Sequence, residues 1–359
     1  MPENSGQKTI TFLIGSMRRG GAERVISILA NHYAGKGWKV DILTFLDDSN
    51  EYILDGRIRF LPVCGEGKSQ IKRIPYWIKT VRRYVKTQNP DRLVSFVTRI
   101  NLITLFACLG LNKYIVVSER SGPAAPGRVP FSIMLLVKLL YPLAAHVVFQ
   151  TKWAESCFSR RIRKKGVVLP NPVNVNVEAA GEKQKKIVAV GRLLEVKNHA
   201  LLIRAFQQVL QRHPGYSLTI YGDGKLRAEL EKQVSNAGLT GSVFLPGNVL
   251  DIHERIADAE IFVLSSNFEG FSNALVEAMM MGLPCISTKV SGSNDIIKTG
   301  INGILIDKRN EQQLADALDR LIADKQEALA MGAEAKRSVQ HMRSENLIGL
   351  WEQCIEQSI

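Results

Sequence analysis

The sequence predicts an α/β chain of two doubly wound, Rossmann-like domains that face a cleft. Short apolar runs alternate with helix-length segments, as parallel strands and their crossovers require. The alternation breaks once near the middle of the chain and then resumes. In addition, 359 residues exceed one ordinary core and suit two of roughly 150 to 180 residues each.

The first half opens with the apolar run Ile10 to Ile14, a glycine-bearing loop, and a helix whose Ala22, Val25, Ile26, Leu29 and Tyr33 recur at helical spacing. Further strands are expected at Val40 to Thr44, Leu93 to Phe96, Ile115 to Ser118 and Val147 to Gln150. The longest apolar stretch, Val129 to Phe149, is interrupted by Lys138, Pro142 and His146, whereas a membrane-spanning helix needs about 20 largely uncharged residues. It is expected to form a buried helix followed by a buried strand. Pro170-Asn171-Pro172 through the polar run Glu178 to Lys186 has turn formers and no apolar period, which marks a linker. A second alternation then runs through Ile187 to Val190, Ser217 to Tyr221, Val243 to Leu245, Ile261 to Leu264 and Cys285 to Ser287, with helices between them. The expected division is 1–172, 173–340 and a C-terminal helix in 341–359. That helix sets Leu347, Ile348, Trp351, Cys354 and Ile355 on one face and packs back across the domains.

Composition narrows the function. Five cysteines, far apart and without a Cys-x-x-Cys pair, fit reduced core thiols and give no support to zinc. The first dozen residues show no basic start followed by an apolar run, so a cytoplasmic protein is expected. The net charge of +13 is uneven: residues 1–170 carry 27 Lys/Arg against 11 Asp/Glu, and residues 171–359 carry 20 against 23. The basic half is therefore expected to face an anionic partner, with nucleic acid, a membrane surface or a phosphorylated acceptor all open at this point.

The strongest chemical signal is Ser265-Ser266-Asn267-Phe268-Glu269-Gly270-Phe271-Ser272-Asn273, which follows a buried strand and leads into a helix carrying Glu277. A helix starting near Ser272 offers unpaired N–H groups and the positive end of its dipole, which suits a diphosphate. Gly270 permits close backbone approach. Glu269 at the helix mouth is placed to reach sugar hydroxyls, and Glu277, farther along, to accept bonds from a ribose. The plainer alternative is an ordinary N-cap with two surface carboxylates.

From Glu269 to Glu277, and on through Ala278, Gly282, Pro284, Ser291-Gly292, Asp295-Ile296-Ile297, Gly300 and Asn302-Gly303, the chain resembles the C-terminal signature of glycosyltransferase family 4. Further matches are Gly191-Arg192, Lys197-Asn198, Tyr221-Gly222-Asp223-Gly224, Gly247 and Gly20-Gly21-Ala22-Glu23-Arg24, so the resemblance spans nearly the whole chain. It implies a retaining enzyme of the GT-B fold. It also implies a basic pair on the donor diphosphate in Arg192 and Lys197, a sugar contact in Glu269, a ribose contact in Glu277, and backbone approach to the donor at Gly20, Gly21, Gly191 and Gly222. No Asp-x-Asp motif occurs, so the nucleotide-sugar is expected to act as co-substrate without a metal or other cofactor. The charge on the leaving diphosphate would then be met by Arg192, Lys197 and the helix end.

On the acceptor side Ser118-Glu119-Arg120 ends a strand where many family members place a histidine; Glu119 and Arg120 are read as acceptor contacts or as a structural ion pair. The segment Ile71 to Lys86 has an apolar stripe of Ile71, Ile74, Ile78, Val81 and Val85 flanked by Trp77 and Tyr84. Lys72, Arg73, Lys79, Arg82, Arg83 and Lys86 lie beside it, and a second basic cluster spans Arg160-Arg161 and Arg163-Lys164-Lys165. Such a helix grips anionic headgroups or a lipid diphosphate, or packs on the core with a solvated basic face. No nucleic-acid motif accompanies the charge. The expected reaction moves a hexose or N-acetylhexosamine from a UDP-sugar to a polyprenyl-diphosphate-linked saccharide at the inner, anionic face of the membrane. A nucleotide-sugar epimerase, a phosphorylase or a silent sugar-binding subunit on the same fold are the rivals.

Overall fold

The computed structural model describes residues 6–18, 20–65, 69–120, 130–175, 177 and 182–357. The chain forms two compact units, Met1–Pro172 with Ser344–Ile359, and Val173–Arg343. Part of the expected linker, residues 178–181, and Val129 at the start of the long apolar stretch lie outside the described residues.

In the first unit the strands are β1 (Thr9–Ile14), β2 (Lys39–Thr44), β3 (Arg59–Pro62), β4 (Arg92–Phe96), β5 (Tyr114–Glu119), β6 (His146–Phe149) and β7 (Gly166–Val168). They pair in parallel in the order β3-β2-β1-β4-β5-β6-β7. Crossovers are α1 (Gly21–Gly35), α2 (Gln70–Gln88), α3 (Thr98–Ala107), α4 (Phe131–Leu140), α5 (Lys152–Ser156) and α6 (Arg160–Arg163). Successive strand residues point to opposite faces, and both faces are covered, so the strands read as unbroken apolar runs. In β1, Ile10, Phe12 and Ile14 enter one core with α1, while Leu13 enters the other with Trp77, Val81 and Val85 of α2.

The second unit repeats the plan with β8 (Gln184–Val190), α7 (His199–Arg212), β9 (Ser217–Tyr221), α8 (Arg227–Asn236), β10 (Val243–Gly247), α9 (Ile252–Ile256), β11 (Ala259–Leu264), α10 (Asn273–Met280), β12 (Cys285–Thr288), α11 (Ser291–Ile296), β13 (Ile304–Ile306), α12 (Glu311–Ala323) and α13 (Lys325–Ser338). Its parallel order is β10-β9-β8-β11-β12-β13. The order reverses beside β1 in the first sheet and beside β8 in the second. At such switch points the loops leaving neighbouring strands part and open a crevice.

The last helix, α14 (Ser344–Glu356), belongs to the first unit. Trp351 is buried with Cys354 and Ile355 in the α1 core, and Arg92 Nε donates to the Ile355 carbonyl at 2.6 Å. Lys36 Nζ pairs with Glu352 at 2.6 Å and Glu356 at 2.7 Å.

Three expectations change. The expected buried helix within Val129 to Phe149 is α4, and its Phe131, Leu135, Leu136 and Leu139 are exposed, with Val137 alone buried. Ile71 is exposed, and Trp77 takes the core position, fully buried with its indole N–H donating to the Cys64 carbonyl at 3.3 Å. Trp77 therefore has no surface to offer a membrane. Finally, Gln184 to Lys186 are strand, not linker.

Candidate active site

In the second unit the loops that leave β8 and β11 stand side by side at the switch point. Gly191 follows β8, and its N–H donates to the Tyr221 carbonyl at 2.9 Å. Gly222 answers from the end of β9 with φ of 131°, and a Cβ there would sit 2.1 Å from the Gly191 carbonyl oxygen. Only glycine satisfies both the backbone angle and the space. Arg192 then turns its side chain into solvent, with no ion pair among the described residues.

Past Arg192 a single 3₁₀ turn, Glu195–Lys197, leads through Asn198 at φ 50° into α7. This turn is fastened to the β11 loop. Asn267 N–H donates to the Val196 carbonyl at 2.8 Å, Ser265 Oγ to the Lys197 carbonyl at 2.9 Å, and Asn198 Nδ2 to Asn267 Oδ1 at 3.2 Å. The result is a hydrogen-bonded ion pair between Lys197 Nζ and Glu269 Oε2, both side chains mostly but not wholly buried. A charge-assisted pair at a half-buried loop is held more firmly than an exposed one.

The far side of Glu269 is braced by Ser291 Oγ, which donates to the Glu269 carbonyl at 2.6 Å. Gly292 packs so tightly under this loop that a Cβ would lie 2.8 Å from the Gly270 carbonyl oxygen and 2.9 Å from Phe271 Cα. Phe271 and Ser272 are buried, and Ser272 Oγ caps α10 by accepting from Leu275 N–H at 3.3 Å. Asn273 is the first residue of α10, so the helix opens beside Gly270 with the positive end of its dipole there. Farther along, Glu277 is largely buried, and its Oε2 lies 3.4 Å from His253 Nε2 on α9.

Two histidines were missed by sequence reasoning. His253 reaches Glu277 only through tertiary packing, which no local pattern signals. His199, the first residue of α7, sits beneath Gly191, its Nε2 3.6 Å from where a Gly191 Cβ would lie. Burial, aided by the charge of Lys197, pulls His199 down to about 4, so it is neutral at pH 7. Its place directly after Lys197-Asn198 was the available clue.

The first unit has its own carboxyl edge. Gly20 caps α1 and Gly21 begins it, with the Tyr52 hydroxyl donating to the Gly20 carbonyl at 2.8 Å. A Cβ on Gly20 would strike the Glu23 carboxylate at 2.1 Å, and burial raises the Glu23 carboxyl above its ordinary range. At the end of β5, Glu119 is buried and its carboxylate accepts from Thr98 Oγ1 at 2.9 Å, the Tyr141 hydroxyl at 2.7 Å and Arg120 N–H at 3.1 Å. Of the two readings the sequence left open, acceptor contact or structural pair, this burial and bonding favour the second. The Arg120 guanidinium lies 4.7 Å over the Phe96 ring and 5.8 Å from that of Trp351, and its Nη1 donates to Asn171 Oδ1 at 2.6 Å. Burial pulls Arg120 down to about 9, against the pull of Glu23 and Glu119, leaving it a cation at neutral pH. Beside this cluster Val97, a β-branched residue, holds φ at 75° between β4 and α3, a backbone outlier of the kind that collects at functional edges.

On α2, Lys72, Lys79, Arg83 and Lys86 are exposed, while Arg82 Nη1 is occupied by the carbonyls of Ala107 at 2.8 Å and Leu109 at 2.9 Å. Arg73 is half-buried and donates to the Cys64 carbonyl at 3.4 Å.

Two parallel sheets, each reversing at its switch point, with a charged pair at a helix mouth in the second, match the plan of the GT-B glycosyltransferases. The model for Glycosyltransferase Family 4 matches residues 19–177, and that for Glycosyl transferases group 1 matches residues 172–338. Together they span residues 19–338, and the chain is a glycosyltransferase built of these two domains. Among its relatives is the GalNAc-alpha-(1->4)-GalNAc-alpha-(1->3)-diNAcBac-PP-undecaprenol alpha-1,4-N-acetyl-D-galactosaminyltransferase of Campylobacter jejuni, 26% identical over 88% of this chain and 89% of that protein. A second C. jejuni enzyme, N-acetylgalactosamine-N,N'-diacetylbacillosaminyl-diphospho-undecaprenol 4-alpha-N-acetylgalactosaminyltransferase, is 28% identical over 87% of this chain and 90% of that protein. Among solved structures, Anabaena HepE in complex with UDP and glucose superposes with a TM-score of 0.82 at 19% identity, covering 96% of this chain and 98% of that one. That likeness speaks for the fold.

Proposed function

We propose that the chain is a retaining, metal-independent glycosyltransferase. It takes a hexose or N-acetylhexosamine from a UDP-sugar and passes it to a polyprenyl-diphosphate-linked saccharide at the anionic inner face of the membrane. The observation that carries this reading is the Lys197–Glu269 pair, fastened by backbone hydrogen bonds at the mouth of α10. Lys197, Arg192 and the first turn of α10 supply positive charge where the departing diphosphate gains negative charge. Glu269 meets the transferred sugar, and Glu277, steadied by His253, accepts from the ribose. Gly191, Gly222 and Gly270 keep side chains out of the way of the nucleotide, while Phe271, Ser272 and Asn273 shape the helix mouth. Gly20 and Gly21 give the first unit a backbone surface for the donor. The acceptor class is supported by the two C. jejuni relatives, whose names specify undecaprenol-linked saccharides, and the donor class by the UDP and glucose in HepE. The exposed Lys72, Lys79, Arg83 and Lys86 support a seat on anionic lipid.

The test is to incubate the protein with UDP-sugars and a short-chain polyprenyl-diphosphate saccharide, with and without EDTA, and to read the product by NMR. A new glycosidic bond of the donor's anomeric configuration, formed equally with EDTA, is expected. An epimerised nucleotide-sugar or a free sugar phosphate with no new bond would overturn the reading.

A further inference from the structure

One face of the first sheet carries α2, α3, α4 and α6 side by side. Arg82 of α2 holds the carbonyls at the end of α3, α4 packs beside α3, and Lys165 beyond α6 donates to the carbonyls of Pro142 at 2.8 Å and Ala144 at 2.7 Å, just past α4. These four helices contain eleven lysines and arginines and no acidic residue, and the short α5 on the same face adds Lys152 and Glu155. On the opposite face, α1 and α14 together carry four glutamates and one arginine. Eleven of the sixteen excess positive charges of residues 1–170 thus sit on helices of one side of one sheet.

In the middle of that basic face α4 turns its apolar residues outward. Phe131 is 85% exposed, Leu139 61%, Leu135 49% and Leu136 41%, continued by Leu143 at 53% just past the helix. Scattered exposed leucines are ordinary, but five large apolar groups along little more than three turns form a patch that water does not favour. The helix has 10 residues, too short to span a bilayer and suited to lying in its surface. A second copy of the same basic face would be repelled. An anionic bilayer meets both features at once, with acyl chains for α4 and phosphates for the cations on either side.

We infer that α4 is the helix by which the first unit inserts into an anionic membrane surface, gripped on its flanks by Lys79, Arg83 and Lys86 of α2 and by Arg160 and Arg161 of α6. The sequence alone points to α2; the structure moves the apolar contact to α4 and leaves α2 the electrostatic part. Because crossover helices run antiparallel to the strands, α4 begins at the carboxyl edge of the sheet, where β5 ends. Seating α4 on the bilayer brings that edge to the headgroup layer, the level of a lipid diphosphate. This consequence rests on the lipid-linked acceptor proposed above; the docking itself does not.

Flotation of the full chain with vesicles of phosphatidylglycerol and phosphatidylcholine, against pure phosphatidylcholine, tests the inference at physiological and high salt. The wild type should float with the anionic vesicles. Leu135→Ser with Leu139→Ser should cut its affinity about tenfold or more at either salt, since apolar burial is not screened. Lys79→Glu with Arg83→Glu should cut it at physiological salt, with a deficit that shrinks at high salt. Both variants should release UDP from UDP-sugars at the wild-type rate without vesicles, which also shows that they are folded. Flotation of the α4 variant equal to wild type, or equal recovery with neutral vesicles, overturns the inference. So does sedimentation as a dimer that the α4 variant dissociates, with no flotation. If vesicles are bound as expected but no UDP-sugar is turned over, the donor reading fails and the docking stands.

Discussion

At the end of β5 in the first unit, Glu119 and Arg120 are neighbours in sequence; past β8 and β11 in the second, Lys197 and Glu269 meet from 72 positions apart. Both are acid-and-base pairs at the carboxyl edge of a parallel sheet. Their surroundings separate them. Glu119 has donors on each oxygen and no exposed surface, and Arg120 is laid against Phe96 and Trp351, so this pair holds β5, α3 and α14 together. Lys197 and Glu269 lie on loops fixed by backbone bonds, with part of each side chain open and the start of α10 alongside. Under the proposed function, the pair whose rigidity lies in the backbone and whose side chains stay reachable is the machinery, and the pair whose side chains carry the rigidity is the fastener.

The largest effect that would break this contrast is on turnover. Lys197→Ala or Glu269→Ala should lower kcat by about 10² to 10³, or about 2.7 to 4 kcal/mol of transition-state stabilisation, with the melting temperature nearly unchanged. Steady-state rates and calorimetry on the same preparations check this. If both variants keep the wild-type kcat, the second edge is no more functional than the first.

Next is the pH dependence of stability under that edge. His199 titrates near 4 in the folded chain and near 6.5 when unfolded, so between those values the unfolded state binds more protons and stability falls as pH falls. The loss should approach about 3 kcal/mol from pH 7 to pH 4, and His199→Gln should flatten that part of the profile in urea titrations. An identical slope in the variant would remove His199 as its source.

For the first edge the expected change is in stability instead of turnover. Glu119→Gln turns one acceptor oxygen into a donor facing Tyr141 and Thr98, and should cost about 2 kcal/mol, with kcat close to wild type once folded. A large fall in kcat at unchanged stability would restore Glu119 as a contact. The smallest effect is at Val97. Val97→Gly relieves the positive φ and should stabilise the first unit by about 1 kcal/mol; destabilisation would show that the valine side chain packs for more than its strain costs.

The strands and helices legible in the sequence were those written in local periodicity: β1 with α1, β8 with α7, and the β11 loop leading into α10 at Ser272. The short strands β3, β7 and β13 were missed because three or four residues carry too little period. Hydropathy placed α4 inside because an apolar run does not say what covers it, and only the three-dimensional packing shows Val137 inward and Phe131 outward. Trp77 lay close enough to the apolar stripe of α2 that spacing could not choose between it and Ile71. The candidate site was half legible. Glu269 and the α10 mouth stood in one segment, but the meeting of Lys197 with Glu269 and of His253 with Glu277 depends on loops from separate strands converging, which one sequence encodes without displaying.

The central claim, that nucleotide binding belongs to the edge around Lys197 and Glu269, is met most directly by calorimetric titration of UDP into wild type, Lys197→Ala and Glu119→Gln. The account predicts at least about tenfold weaker binding for Lys197→Ala, as loss of a charge-assisted bond to phosphate implies, and wild-type affinity for Glu119→Gln. Wild-type affinity in Lys197→Ala, or loss only in Glu119→Gln, would contradict it.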